Sequence, residues 1–309
     1  MKKFIVMADV CCDLSEELRK RFDIQYIKGH MTLPDGSTAE TTCDWNTMDA
    51  KQFYASLKNK KNVYTTSPAN IDEFANAFED YVKDGYDVLC LTISSALSGT
   101  YSFASKAKEQ VLANYPDAKI YVIDSLRFSN GLGLLTIHAS ILREQGKTIE
   151  ETAAWLEENK NRFHQSGWLD DLSFVAQKGR ISHSKAFFGT LIGIKPIGEF
   201  DYNGLTTVLG NAKGEKAAYS VLLNYIEKVI ENPEEQIILI AQTDRKRQAE
   251  AYKVMLEEKF HPKEIIITDV YPADGINVGP GLMAAYYMGK PISQGLVDER
   301  AIIEDLLAK

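Results

Sequence analysis

The chain has 309 residues, 45% of them hydrophobic and 25% charged, which suits a globular protein large enough for two domains. Its net charge is 35 − 43 = −8, which excludes wholesale contact with a phosphate backbone and so nucleic acid as a partner. No run reaches the ~18 apolar residues of a membrane span, and the apolar stretch after Met1 is too short for a signal peptide. The expectation is a cytoplasmic protein with no integral membrane segment.

Residues 4–8 form a short apolar run, read as a strand, that ends in Asp9, Cys11, Cys12 and Asp13. Ser15 followed by Glu16 and Glu17 opens a helix, because acidic residues suit the positive end of the helix dipole. Residues 24–27 and 31–33 read as strands, Asp35-Gly36 as a turn, and 49–58 as a helix. A helix over 71–84 carries Phe74, Ala77, Phe78 and Tyr81 on one face. Residues 87–93 are the most strongly apolar strand, and they run directly into Ser94, Ser95, Ala96, Leu97, Ser98, Gly99 and Thr100. A helix continues to about residue 114. Residues 119–124 make another strand, leading through Ser125 into helices at 130–145 and 149–161.

Strands spaced by such helices predict a parallel sheet covered on both faces. Ligands meet such sheets at the carboxyl ends of the strands, beside helix N-termini. Asp9, Ser94, Ser95, Asp124 and Ser125 fall there, and the loop from Tyr64 to Pro68 is positioned to join them.

The pattern changes around residues 163–168. Strand-like pieces at 206–209, 236–241 and 264–268 lack regular helices between them, whereas 193–198 and 201–204 read as turn-rich. Helices are expected at 216–230 and 247–259, with an amphipathic one at 298–309 whose apolar side is Ile302, Ile303, Leu306 and Leu307. The fold class is therefore α/β: an N-terminal parallel-sheet domain over 1–165, then an α+β domain with a mixed or antiparallel sheet over 166–309.

Most catalytic and cofactor signatures are missing: there is no phosphate-loop motif, no Gly-x-Gly-x-x-Gly, no His-Glu-x-x-His and no Gly-x-Ser-x-Gly. The histidines (His30, His138, His164, His183, His261) are scattered, and Cys11, Cys12, Cys43 and Cys90 lack metal spacing. These read as structural residues, so no metal and no cofactor are expected. The hydroxyl clusters carry more. Ser94 to Thr100 and Thr65, Thr66, Ser67 each offer neutral donors near a helix start, where Ser and Thr either cap the helix or hold an anion. Arg180, in a basic turn with Lys178 and Gly179, is either a surface ion-pair partner or a fork for a carboxylate or phosphate. Phe187, Phe188, Leu191, Ile192 and Ile194 are either core or the wall of a long apolar pocket. Gly275 to Gly281 reads as a tight turn.

The string Ile93-Ser94-Ser95-x-Leu97-Ser98-Gly99-Thr100-Tyr101 lies in the same chain as Thr65-Thr66-Ser67, Asp124-Ser125 and Gly179-Arg180-Ile181-Ser182. With Ala8-Asp9, Asp13-Leu14, Lys195-Pro196 and Gly279-Pro280-Gly281, it resembles the DegV family over residues 1–289. The resemblance implies an N-terminal domain of the EDD type, shared with dihydroxyacetone kinases and a sugar-phosphotransferase component. It also implies a bound long-chain fatty acid, with its carboxylate on hydroxyls between the domains and its acyl tail in an apolar tunnel of the second. The positions that match are Thr66, Ser94, Ser95 and Arg180, and the expected ligand-binding set adds Ser67, Asn277 and Gly279. Some family members resemble acyl-carrying subunits that present the acid to a separate fatty-acid kinase.

Departures from the pattern are specific. Asn277 stands where the family usually has His before x-Gly-Pro-Gly, so the position donates hydrogen bonds without a positive charge. Lys178 replaces a Gly, Pro68-Ala69 replaces Gln-Pro, Ala8-Asp9-Val10 replaces Thr-Asp-Ser, and residues 290–309 extend past the usual family end. The alternative reading is an enzyme acting on an acyl or phosphorylated small molecule, with Asp9 or Asp124 as acid/base and a loop serine as nucleophile.

Overall fold

The computed structural model describes residues 3–181 and 193–308. The elements begin with β1 (Phe4–Asp9), a 3-10 turn (Val10–Cys12), α1 (Glu16–Arg21), β2 (Ile24–Ile27), β3 (Gly29–Thr32), β4 (Thr38–Thr41) and α2 (Ala50–Leu57). Next come β5 (Thr65–Ser67), α3 (Ile71–Lys83), β6 (Asp87–Thr92), α4 (Thr100–Asn114), β7 (Ile120–Asp124), α5 (Asn130–Glu144) and α6 (Ile149–Asn159). The chain continues through β8 (Phe163–Leu169), α7 (Ser173–Gln177), β9 (Ile194–Phe200), β10 (Thr206–Lys213), α8 (Gly214–Val229) and β11 (Ile237–Gln242). It ends with α9 (Lys246–Phe260), β12 (Glu264–Asp269), α10 (Pro272–Val278), β13 (Leu282–Met288) and α11 (Val297–Ala308).

These elements form two compact units. The first comprises residues up to Asp44, Val63–Lys160 and Tyr271–Ala273; the second comprises Trp45–Asn62, Asn161–Val270 and Asp274 onward.

In the first unit a four-stranded sheet runs β2-β1-β6-β7, all parallel, as the strand–helix alternation predicts. All six residues of β6 are buried, so its apolar run marks a central strand covered on both faces. Val88 and Cys90 pack with Phe74 and Phe78 of α3 and Ala104, Ala107 and Val111 of α4, while α5 packs against β1 and β6. α3 starts with a full capping box, Asn70 accepting from the Glu73 N–H and Glu73 accepting from the Asn70 N–H. α5 carries Gly133 because a Cβ there would sit 2.5 Å from the Cys12 carbonyl oxygen, so the helix lies directly on the turn after β1. A smaller antiparallel sheet has the order β4-β3-β5.

The second unit holds a six-stranded mixed sheet, β10-β9-β8-β13-β11-β12, in which only β11 and β12 run parallel. The sequence pattern announces neither of its two central strands, β8 and β13, nor β9 beside them. Every residue of β8 is buried, including His164, Gln165 and Ser166. The turn-rich expectation for 193–198 is corrected: this segment opens β9, with Pro196 just beyond the short β8 pairing at Gly198 and Ile197, where its missing N–H costs no bond to β8. Gly275 to Gly281 is corrected too, since Gly275 and Asn277 lie in α10 and the left-handed backbone begins at Gly279 (φ +73°). α11 lies over β10, with Ile303 buried against Gly210.

Gly167 sits between Ala284 of β13 and Gly198 of β9. A Cβ at Gly167 would overlap the Met283 carbonyl oxygen and the Ala284 Cα, which are backbone atoms that cannot rotate away. Gly167→Val is therefore expected to destabilise the protein by about 3 kcal/mol or more, through overpacking at the sheet centre. The thermal midpoint checks this, and an unchanged midpoint would contradict the close approach of β8 and β13.

Candidate functional site

The turn after β6 is built from the backbone outward. The Ile93 N–H donates to Asp9 Oδ2 at 2.6 Å, the Ser94 N–H to the Arg127 carbonyl at 2.9 Å, and the Ser95 N–H to Asp124 Oδ1 at 3.0 Å. Three consecutive N–H groups are thus fixed by three separate partners. Ser94 is fully buried and its Oγ accepts from the Ala96 N–H at 3.2 Å, whereas Ser95 is exposed. Ser98 Oγ and Thr100 Oγ1 bond each other at 2.8 Å. α4 then begins behind Gly99, which makes no side-chain capping bond. The first N–H of the helix, that of Thr100, donates to Ser98 Oγ at 3.4 Å, and the rest of the first turn is where a helix start meets an anion or water.

Thr65, Thr66 and Ser67 are expected in a loop; they form β5, an edge strand paired to β3 through Met31↔Thr66 and His30↔Ser67. Side chains alternate along a strand, so Thr66, which is half-buried, and Ser67, which is exposed, face opposite sides. Thr66 and the Ser94-Ser95 turn belong to the first unit.

Arg180, Asn277 and Gly279 belong to the second unit. Arg180 is exposed and its guanidinium donates to the Lys178 carbonyl; among the described residues it meets no carboxylate. The Lys178 amine is pushed below its ordinary value by burial and by the neighbouring Arg180 charge. Asn277 is half-buried near the end of α10. Gly279 admits no side chain, because a Cβ would overlap the Phe174 ring and φ is positive. Ser182, His183, Phe187, Phe188, Leu191 and Ile192 lie outside the described residues.

A sequence profile of the DegV family, described as an uncharacterised protein family, matches residues 3–290. The chain belongs to the DegV family. A DegV domain-containing protein of Clostridium perfringens is 36% identical over 289 residues, covering 94% of this chain and 98% of that one. Among solved structures, a DegV family protein from Thermus thermophilus, described by its fatty acid binding, superposes with a TM-score of 0.82. It is 24% identical, over 93% of this chain and 100% of that chain. The Streptococcus pneumoniae fatty acid kinase B3 protein, loaded with linoleic acid, gives a TM-score of 0.78 at 19% identity, over 93% of this chain and 99% of that chain. These likenesses show the two-domain α/β DegV fold.

In this DegV chain several residues around the turn escape sequence reading. Asp13 is fully buried with φ +49°, and its two oxygens accept from the Tyr271 N–H at 2.8 Å and the Ser129 hydroxyl at 2.6 Å. Arg127 is fully buried and donates to the Leu126 carbonyl at 2.6 Å. Leu126 and Ser129 both hold left-handed backbone, at φ +54° and +50°. The available signal was the Asp-Ser at the end of β7, since Ser125 folds the loop by bonding both the N–H and the carbonyl of Arg127. Among the described residues neither Ser94 nor Ser95 bonds a histidine or lysine, and no group of three or more His, Cys, Asp or Glu is placed to hold a metal. No described helix is long and apolar enough to cross a membrane. A cleft of about 610 Å³ at the opposite, amino end of the sheet carries charges that pair with one another, such as Lys119 with Glu150 and Arg143 with Asp23.

Burial lifts the Asp9 carboxyl from its ordinary 3.8 to about 6, against the lowering effect of its N–H donors Ile93 and Cys11. Burial lowers His138, whose ring stacks on Trp155 at 5.6 Å, from 6.5 to about 4. The two act in opposite senses. The raised Asp9 adds stability below pH 3.8 that is lost as pH rises through 6. The depressed His138 adds stability above pH 6.5 that is lost as pH falls towards 4. NMR titration should place the His138 ring midpoint near 4, and His138→Phe should flatten the stability loss between pH 6.5 and 4. A ring midpoint at 6.5 would contradict its burial.

Proposed function

We propose that this chain binds a long-chain fatty acid, without catalysis of its own, and presents it to a separate fatty-acid kinase. The observation that carries this is the turn from Ser94 to Thr100. It is an anchored pair of serines at the carboxyl end of a central parallel strand, just ahead of the N-terminus of α4, in a DegV-family chain. Thr66, Ser94 and Ser95 supply neutral donors to the carboxylate, with Ser67 the adjoining hydroxyl. Arg180, Asn277 and Gly279 are the corresponding candidates in the second unit. The relatives whose solved structures are described as binding fatty acids support the ligand class.

The energetics divide naturally. At ~0.8 kcal/mol per buried methylene a sixteen-carbon chain contributes roughly 11 kcal/mol gross, so the tail supplies affinity. The head group needs only enough bonds to offset its desolvation. In the serine-nucleophile alternative the base nearest Ser95 is Asp124, but its carboxylate takes the Ser95 N–H, and among the described residues no base bonds the hydroxyl of Ser94 or Ser95.

Native mass spectrometry of the protein purified from cells should show co-purified acyl chains. Arg180→Ala should weaken oleate binding about tenfold while leaving the thermal midpoint in place. Absence of any acyl chain together with no uptake of added oleate or palmitate would refute the reading. Acyl phosphate should appear only when a fatty-acid kinase and ATP are added; formation of it by the isolated chain would refute the non-catalytic part.

A further inference from the structure

Two carboxylates stand behind the serine turn, and among the described residues neither pairs with a cation. Asp9 Oδ2 takes the Ile93 N–H, one residue before Ser94, and its Oδ1 takes the Cys11 N–H at 2.8 Å. Asp124 Oδ1 takes the Ser95 N–H and the Leu126 N–H at 3.2 Å. Ser94 is therefore clamped between residues whose N–H groups end on two different strands of the sheet, β1 and β7. A turn meant only to start a helix needs no such anchoring, since Ser or Thr at the cap position suffices. The arrangement also places negative charge under the donors of an anion site, which opposes an anion unless one charge is discharged.

Resting on the fatty-acid reading, we propose that Asp9 and Asp124 are the positioning residues of the head-group turn, and that Asp9 takes up a proton when the ligand carboxylate arrives. Asp9 lies about two Cα spacings, ~8 Å, from the Ser95 donors, counted along the turn. At that spacing and an effective dielectric near 20, two like charges shift a protonation equilibrium by about tenfold or more. Asp9 is set to respond, because burial already holds its carboxyl at about 6, just below neutral pH.

The groups around it leave the assignment to Asp9. The titratable side chains that act on it are the thiols of Cys11 in its own turn and Cys90 on β6, and burial pushes Cys90 well above its ordinary value. On β2 it pairs with Ile27, and α5, which packs on β1, buries Asn130, Thr136 and Ser140 beside its apolar residues, none of which titrates. Asp124 is partly exposed and its own carbonyl accepts from Lys160 Nζ at 3.1 Å. Asp13 is engaged by the Tyr271 N–H and the Ser129 hydroxyl, and Arg127 by the Leu126 carbonyl.

The experiment is titration calorimetry with decanoate, ionised throughout pH 6–8, in paired buffers of different ionisation enthalpy. Wild type should take up about half a proton per decanoate near pH 6.5, falling towards zero at pH 8. Asp9→Asn should bind with no proton uptake and with an affinity that no longer varies from pH 6 to 8. Asp124→Asn should weaken binding several-fold while keeping the uptake, because it loosens Ser95 and leaves Asp9 intact. Should Asp9→Asn fail to fold, the wild-type uptake profile decides by itself, since a maximum between pH 6 and 7 supports the linkage. Binding at pH 8 with no uptake at any pH would overturn this proposal and leave the fatty-acid reading standing. No binding at any pH would overturn the reading beneath it.

Discussion

Glu199→Leu is expected to lower the unfolding free energy by about 3–5 kcal/mol, the cost of breaking a buried charged network from one side. Glu199 is fully buried on β9 and accepts four bonds. The Gln165 N–H (2.7 Å) and Phe200 N–H (2.9 Å) reach Oε1; the Tyr225 hydroxyl (3.0 Å) and His164 Nδ1 (2.8 Å) reach Oε2. Four donors occupy all the lone-pair positions of a carboxylate. The other nitrogen of His164 faces the Lys290 carbonyl at 2.7 Å, so the ring bridges Glu199 and the backbone of the chain after β13. The negative charge of Glu199 adds to burial in pushing the Tyr225 and Tyr287 hydroxyls well above their ordinary range. Leucine would strip all four donors of their partner inside the sheet.

Two of those donors are backbone groups, which fixes how the variants should rank. Glu199→Gln keeps the shape but turns an NH2 towards donors, so it should also destabilise, by less. His164→Leu with Glu199→Leu should cost less than the sum of the single changes, because the ring is no longer stranded. It should not return to wild type, because the N–H groups of Gln165 and Phe200 stay unpaired. In urea the single Leu variant should shift the midpoint downward by about 1–2 M. A midpoint within about 0.3 M of wild type would show that the network is open to water.

The same network explains what was hard to read in the sequence. β6 announces itself because both its faces are apolar, and the helices α3, α5 and α8 because their spacing is regular. β8 does not, since His164, Gln165 and Ser166 look like loop residues until Glu199, Tyr286 and Tyr287 satisfy them. Those partners lie 34 to 121 residues away, at separations no local pattern records. β13 was obscured by the Gly279-Pro280-Gly281 turn before it. The Ser94-Ser95 turn was legible because a hydroxyl run directly follows a buried strand. The clamp by Asp9 and Asp124 was not, since it spans 84 and 29 residues and uses backbone N–H groups, which carry no sequence signature. Arg127 and the bonds of Asp13 went unread for a related reason: the left-handed residues Asp13, Leu126 and Ser129 are not glycines.

Ser95→Glu is the second large effect, expected to weaken fatty-acid binding by about a hundredfold. Ser95 is exposed and contributes its N–H, not its hydroxyl, to the anchoring of the turn, so the substitution should leave stability within about 0.5 kcal/mol of wild type. The new carboxylate, about 6 Å from the ligand's own, would oppose it by roughly 3 kcal/mol at an effective dielectric near 20. Ser95→Ala removes only one bond to a charged group and should cost about tenfold. The gap between the two variants isolates the charge, and it should narrow as salt rises, because an exposed pair is screened. Binding should not vanish in either case, since the buried tail still contributes most of the gross free energy. Competition with a fluorescent fatty acid, at low and high salt, measures all three affinities. A Glu variant that binds within twofold of wild type would place the carboxylate away from this turn, and the head-group assignment to Thr66, Ser94 and Ser95 would fall with it.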